Sequence, residues 1–147
     1  MTYPNQEVVN YVEKNFVPWR VEVMEQKAVV ERFRMEWTPY VVILDSEGEE
    51  HHHFVGFLTP QEFMAQLALG LARVAFRRKE FTRAIDLFDA VVQGFPGTTA
   101  APEAIWYRGV SNFQATGNRA NLKATRIELE ENYPDSVWGE KASAWGG

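Results

Sequence analysis

The side chains in this chain that could do chemistry are few. His51, His52 and His53 stand in a row behind Glu49 and Glu50. Histidine and carboxylate are metal ligands, and on a strand His51 and His53 would share a face. Consecutive strand positions rarely converge on one ion, however, and a metal site needs three or four ligands in fixed geometry with a second shell around them. The run is therefore read as a solvated, edge-like strand, with no metal and no cofactor expected. Arg73, Arg77, Arg78, Lys79 and Arg83 form the other cluster. Cations at a helix C-terminus are favoured by the helix dipole, which accounts for most of them. Arg73 and Arg77, four apart, can also present two guanidinium groups on one helix face to an acidic peptide or a C-terminal carboxylate. No Ser/His/Asp set, paired carboxylates on one element, Gly-rich phosphate loop or metalloprotease motif occurs.

The chain of 147 residues has no cysteine, which excludes disulfides, thiolate chemistry and cysteine-held zinc for these residues. A net charge of −5 argues against a general nucleic-acid binder, which needs a basic field to displace counterions from phosphates. No apolar run approaches the ~18 residues of a membrane span, and the first residues lack the basic and apolar regions of a signal peptide, so a cytoplasmic protein is expected.

Elements must position these groups. Asn5 can cap a short helix through Asn15 with Val8, Tyr11 and Val12 on one face. Phe16 to Glu25 alternates, with Val17, Trp19, Val21 and Val23 on one side, and predicts a strand with Pro18 near its start. Residues 26 to 35 predict a crossover helix, right-handed if the strands on either side are parallel. Thr38-Pro39 must break that helix, because the residue before proline is pushed out of the helical region. Tyr40 to Leu44 is an unbroken apolar run that reads as a strand buried on both faces, Asp45-Ser46-Glu47-Gly48 turns, and Glu50 to Phe57 returns as a hairpin. Thr59 and Pro60 start a helix, with Glu62 near a capping-box position. From there the pattern is helical to the end: Phe63 to Ala75, Phe81 to Val92, Ala104 to Phe113, Leu122 to Leu129, and a last helix over 136 to 145.

The order helix, X-Pro, buried strand and tight turn, with Leu44-Asp45 and Gly48-Glu49 in the hairpin, resembles the thioredoxin-like superfamily. That resemblance implies a cis proline at Pro39. In the family's enzymes the cis-proline loop, here Trp37, Thr38 and Pro39, lies beside a CxxC helix and its backbone pairs with an extended substrate peptide. Further on, a helix-turn-helix unit ending in proline recurs, with Pro96 and Pro134 standing 38 residues apart. Ala72, Ala75, Phe81, Ala84, Phe88 and Pro96 resemble one tetratricopeptide repeat, and Trp106, Tyr107, Gly109, Gly117, Leu122 and Pro134 a looser second copy.

The expected architecture is thus α/β plus all-α: a truncated thioredoxin-like α/β unit without CxxC over residues 1–68, followed over 69–147 by a TPR-like helical hairpin stack with a capping helix. The expected function is a non-catalytic protein-binding or scaffold module. Its partner is a protein or peptide, contacted at the proline loop or, on the concave side of the stack, by Arg73, Arg77, Tyr107 and Gln114. The alternative is the C-terminal part of a thiol-disulfide oxidoreductase whose CxxC lies upstream of Met1, with Thr2-Tyr3-Pro4 and Val8-Val9 at the positions that follow that motif in redox relatives. In the thioredoxin-like order a further strand lies between the Phe16 and Tyr40 strands. Without it, either those two pair directly or a second copy supplies strands, and a homodimer is the favoured expectation.

Overall fold

The computed structural model describes residues 5–146. Thr2-Tyr3-Pro4 therefore lies outside the described residues. Helix α1 spans Gln6–Asn15, and Asn5 caps it by accepting from the amides of Glu7 and Val8. Helix α2 covers Lys27–Arg32, strands β1 and β2 cover Tyr40–Leu44 and Glu50–Val55, and α3 runs from Pro60 to Arg77. Four more helices follow, α4 (Phe81–Gly94), α5 (Ala100–Thr116), α6 (Ala120–Asn132) and α7 (Val137–Ala142), with a short 3-10 turn over Ser143–Gly146.

The expected strand over Phe16 to Glu25 is not formed. Those residues are irregular, with a turn near Val23–Glu25 held by the Glu25 and Gln26 amides bonding to the Glu22 carbonyl. Alternation specifies only which way side chains point; a strand also needs a ladder partner, and Pro18 has already removed one donor. The described residues contain one sheet, an antiparallel β1-β2 pair, so the direct parallel pairing and its right-handed crossover are absent as well.

The hairpin pairs Tyr40 with Val55, Val41 with Phe54, Val42 with His53 and Ile43 with His52, then shifts register so that Leu44 faces Glu50. His51 is the extra residue of this bulge. Strand β1 is not buried on both faces as its apolar run suggests: only Ile43 is buried, and its neighbours are half-buried. One helix layer explains this. Helix α3 covers the face carrying Ile43, so closely that a Cβ at Gly70 would lie 2.0 Å from the Ile43 Cδ1. Ile43 joins Val8, Phe63, Met64 and Leu67 in a small core under the hairpin.

Helix α3 belongs to two cores at once. Its Ala65, Ala68, Leu69, Ala72 and Ala75 turn the other way and pack with Ala84, Phe88 and Val91 of α4 and with Ala100 and Ala104 of α5. Residues 68 and 69, where the two units are expected to meet, lie inside this one helix. Small residues let the helices approach, and Phe88, fully buried, fills the space between them. Farther along, Ile105, Leu129 and Ala142 form a third cluster roofed by Trp106, Trp138 and Trp145. Arg108 ties α4, α5 and α6 together through Asp89 at 2.5 Å and Glu128 at 2.6 Å. Consecutive helices pack on one another from α3 to α7.

Candidate functional site

Two places on the hairpin concentrate unusual chemistry. The first is the outer edge of β1. The Gly56 amide donates to the Pro39 carbonyl, which makes Pro39 and Gly56 a hydrogen-bonded pair. In an antiparallel ladder such pairs alternate, so Val41 and Ile43 bond inward to β2 while the amides and carbonyls of Tyr40 and Val42 point away from it. Among the described residues nothing bonds to those outward groups. The loop leading into β1 holds Trp37, Thr38 and Pro39; the Thr38-Pro39 peptide is cis, and Trp37 is 73% exposed. Apolar exposure continues upstream, where Val17 is 96% and Met24 83% exposed and Trp19 is also largely in solvent. The Tyr40 ring stacks on His53 at 5.3 Å, and its hydroxyl donates to the Phe33 carbonyl.

The second place is the cleft between β2 and the C-terminal half of α3, about 540 Å³ in volume and lined by Glu50, His51, His52, His53, Arg73 and Arg77. The three histidines are not equivalent. His51 and Asp45 form a buried pair, Nε2 to Oδ2 at 2.8 Å, each side chain 7% exposed. The hydrogen bond from His51, then the amides of Glu49 and Glu47, hold the Asp45 carboxyl down at about 2. The Nδ1 of His51 is buried without a partner. His52 accepts at Nδ1 from Arg73, 3.1 Å away, and so must carry its proton on Nε2, which donates to Gln66 Oε1 at 2.8 Å. Burial is the main reason that its pKa is lowered. His53 is exposed and contacts Glu50 at 2.5 Å. Among the described residues no group of three or more His, Cys, Asp or Glu side chains is arranged to hold a metal.

This polar chain extends across the molecule. Gln66 donates to Glu62 and Thr99, and the Glu62 carboxylate accepts from both the amide and the hydroxyl of Thr99. Glu62 thus departs from the capping box expected of it: Thr59 accepts from its amide, but its carboxylate reaches to the start of α5 instead of back to Thr59. Arg73 is held by His52, by Glu103 at 3.6 Å, and by the Tyr107 ring, 5.4 Å below its guanidinium. Of the four residues expected to face a groove, Arg73 and Tyr107 are half-buried and engaged with these neighbours. Tyr107 also stacks on Phe88 and meets Phe76 edge-on. Arg77 is exposed and makes no ion pair or hydrogen bond among the described residues, and Gln114 is exposed at the far end of α5.

Sequence reasoning missed the Asp45-His51 pair and the His52-Arg73 bond. The signal for the first was a turn aspartate six residues before a histidine on the return strand; nothing in the sequence pointed to the second.

Residues 2–70 match the family model of the thioredoxin-like domain. The α/β unit built around the hairpin and the cis Thr38-Pro39 bond is therefore thioredoxin-like. No curated protein and no solved structure matches the chain. Among the described residues no helix is long and apolar enough to cross a membrane.

Proposed function

We propose that this chain is a non-catalytic protein-binding module in which a thioredoxin-like unit, continued by TPR-like helical hairpins, takes an extended segment of a partner protein as an added strand along β1. The observation that carries this reading is the free edge itself. Tyr40-Val41-Val42-Ile43-Leu44 contains no charge and no proline, the devices by which proteins usually protect an open edge. The opposite edge, on β2, carries Glu50 and three histidines. Main-chain groups of Tyr40 and Val42 supply the hydrogen bonds, and exposed Trp37 beside them supplies apolar area of the kind that anchors interfaces. The helical stack, fastened to the hairpin through Arg73, His52 and Gln66, holds the edge rigid. A thiol role has no support in these residues, since exchange requires a thiolate and the chain has no cysteine.

Selection of extended peptides from a random library against the wild-type chain, with Val42→Pro as counter-screen, tests this. The substitution removes one outward amide and no ladder bond, so the hairpin should persist. Peptides that bind wild type and lose binding to Val42→Pro support the reading. A library that yields no binder, or binders indifferent to Val42→Pro, rejects it. A second copy of the chain can supply the strand in the same way, and light scattering on wild type and Val42→Pro separates that case: self-pairing gives a dimer mass that the variant loses.

A further inference from the structure

We infer that the cleft between β2 and α3 is a second binding site, distinct from the β1 edge, and that it takes a carboxylate. Arg73 and Arg77 stand one helical turn apart on the wall formed by α3, and His51 and His52 stand on the wall formed by β2. Arg73 is presented in a fixed orientation. One of its terminal nitrogens bonds to His52 and faces Glu103, while Tyr107 lies under the guanidinium; no hydrogen bond from its Nε or its second terminal nitrogen occurs among the described residues. Arginine offers five donors in a planar fork, and the unused ones form an oxyanion receptor held in place before any ligand arrives.

Charge decides which oxyanion. Around the cleft Glu103 faces Arg73, while Asp45 and Glu50 contact histidines, His51 and His53, which are counter-charges only when protonated. Arg77 is the one cation lining the cleft that has no counter-charge among the described residues. A carboxylate brings Arg77 one negative charge, whereas a phosphate dianion brings two toward Glu50, which lines the cleft, and Glu103, which faces Arg73. His51 supplies an independent pointer. It is among the residues lining the cleft, and its Nδ1 is a buried polar atom with no partner among the described residues, a state that folded proteins tolerate at few positions. Neither His51 nor Arg77 belongs to the apolar core under the hairpin, which is built from Val8, Ile43, Phe63, Met64 and Leu67.

The test is a titration of the full chain followed by NMR of the arginine Nε and histidine ring signals. Sodium acetate is the probe, inorganic phosphate the competitor class, and ionic strength is held constant. Acetate is expected to shift the Arg77 and His52 signals saturably, phosphate to bind more weakly, and Arg77→Gln to weaken acetate at least about tenfold, the worth of a charge-assisted hydrogen bond. Arg83→Gln, whose side chain pairs with Glu80 outside the cleft, and Val42→Pro should leave acetate binding unchanged. Shifts that grow linearly without saturation, an Arg77→Gln chain that binds as well as wild type, or tighter binding of phosphate than of acetate would each overturn the assignment. Because Arg77 is exposed, its replacement leaves the fold intact, which circular dichroism verifies on the same samples. Loss of peptide binding in Val42→Pro with acetate binding retained shows that the two sites stand or fall separately.

Discussion

Replacing Gly109 by alanine should cost stability although it improves the helix. Alanine is favoured over glycine in a helix interior by about 1 kcal/mol. Against this, a Cβ at position 109 would lie 2.2 Å from Thr125 Oγ1, 2.6 Å from its Cγ2 and 2.7 Å from its Cβ. Ordinary contacts between carbons are roughly 3.5–4.0 Å, so each is short by about 1 Å. Turning the threonine side chain exchanges Oγ1 and Cγ2 but leaves Cβ in place, and it breaks the bond from Oγ1 to the Asn121 carbonyl at 2.8 Å. Helices α5 and α6 must therefore separate, and overpacking of this kind costs about 1–3 kcal/mol or more. Taking the upper end less the helix gain leaves a loss of about 2 kcal/mol, or a fall of roughly 4–8 °C in Tm for a chain of this size. Urea unfolding followed by circular dichroism measures it. Gly70→Ala is the matched control: there the obstruction is the terminal Cδ1 of Ile43, with Cγ1 at 3.2 Å and Cβ at 3.4 Å, so a rotation of one methyl group relieves it. An alanine at 109 that is as stable as glycine, or a Gly70→Ala chain more damaged than Gly109→Ala, would refute the reasoning.

Phe88→Ala should cost about 3–5 kcal/mol in the same assay, because the ring is fully buried between α3, α4 and α5. Acid should unfold the hairpin in two steps. His52 has a pKa lowered below its ordinary 6.5, so the folded state binds fewer protons than the unfolded one; the stability this represents is present above 6.5 and is lost as pH falls below it, and His52→Gln should flatten that part of the profile. Asp45, held at about 2 against an ordinary 3.8, contributes above 3.8 and loses that contribution as pH falls from there toward 2; Asp45→Asn should remove this acid limb and leave the first. Stability measured by urea midpoint across these two ranges checks both.

The elements set by local chemistry were legible in the sequence. Asn5 and Thr59 cap where their side chains said they would, the Asp45-to-Gly48 turn closes the hairpin, and the apolar stripes of α3 to α6 mark the helices. The irregular path of Phe16 to Glu25 was not legible, because alternation cannot tell whether a neighbouring strand exists. Strand β1 looked doubly buried for the same reason: its composition fits a covered strand, while the cover depends on the elements around it. At the sites, the basic run showed that Arg73 and Arg77 share a face. That one would be spent on His52, Glu103 and Tyr107 while the other stays free depends on how the hairpin meets α3, a contact between residues about twenty apart.

The claim that β1 receives a strand is tested most directly by hydrogen exchange at single amides, read by NMR with and without a saturating peptide obtained by the selection above. In the chain alone, Val41 and Ile43 should exchange slowly and Tyr40 and Val42 fast. With peptide bound, the expected result is strong protection at Tyr40 and Val42 and little change in α5 and α6. Protection confined to the helices, with Tyr40 and Val42 exchanging as before, would contradict it.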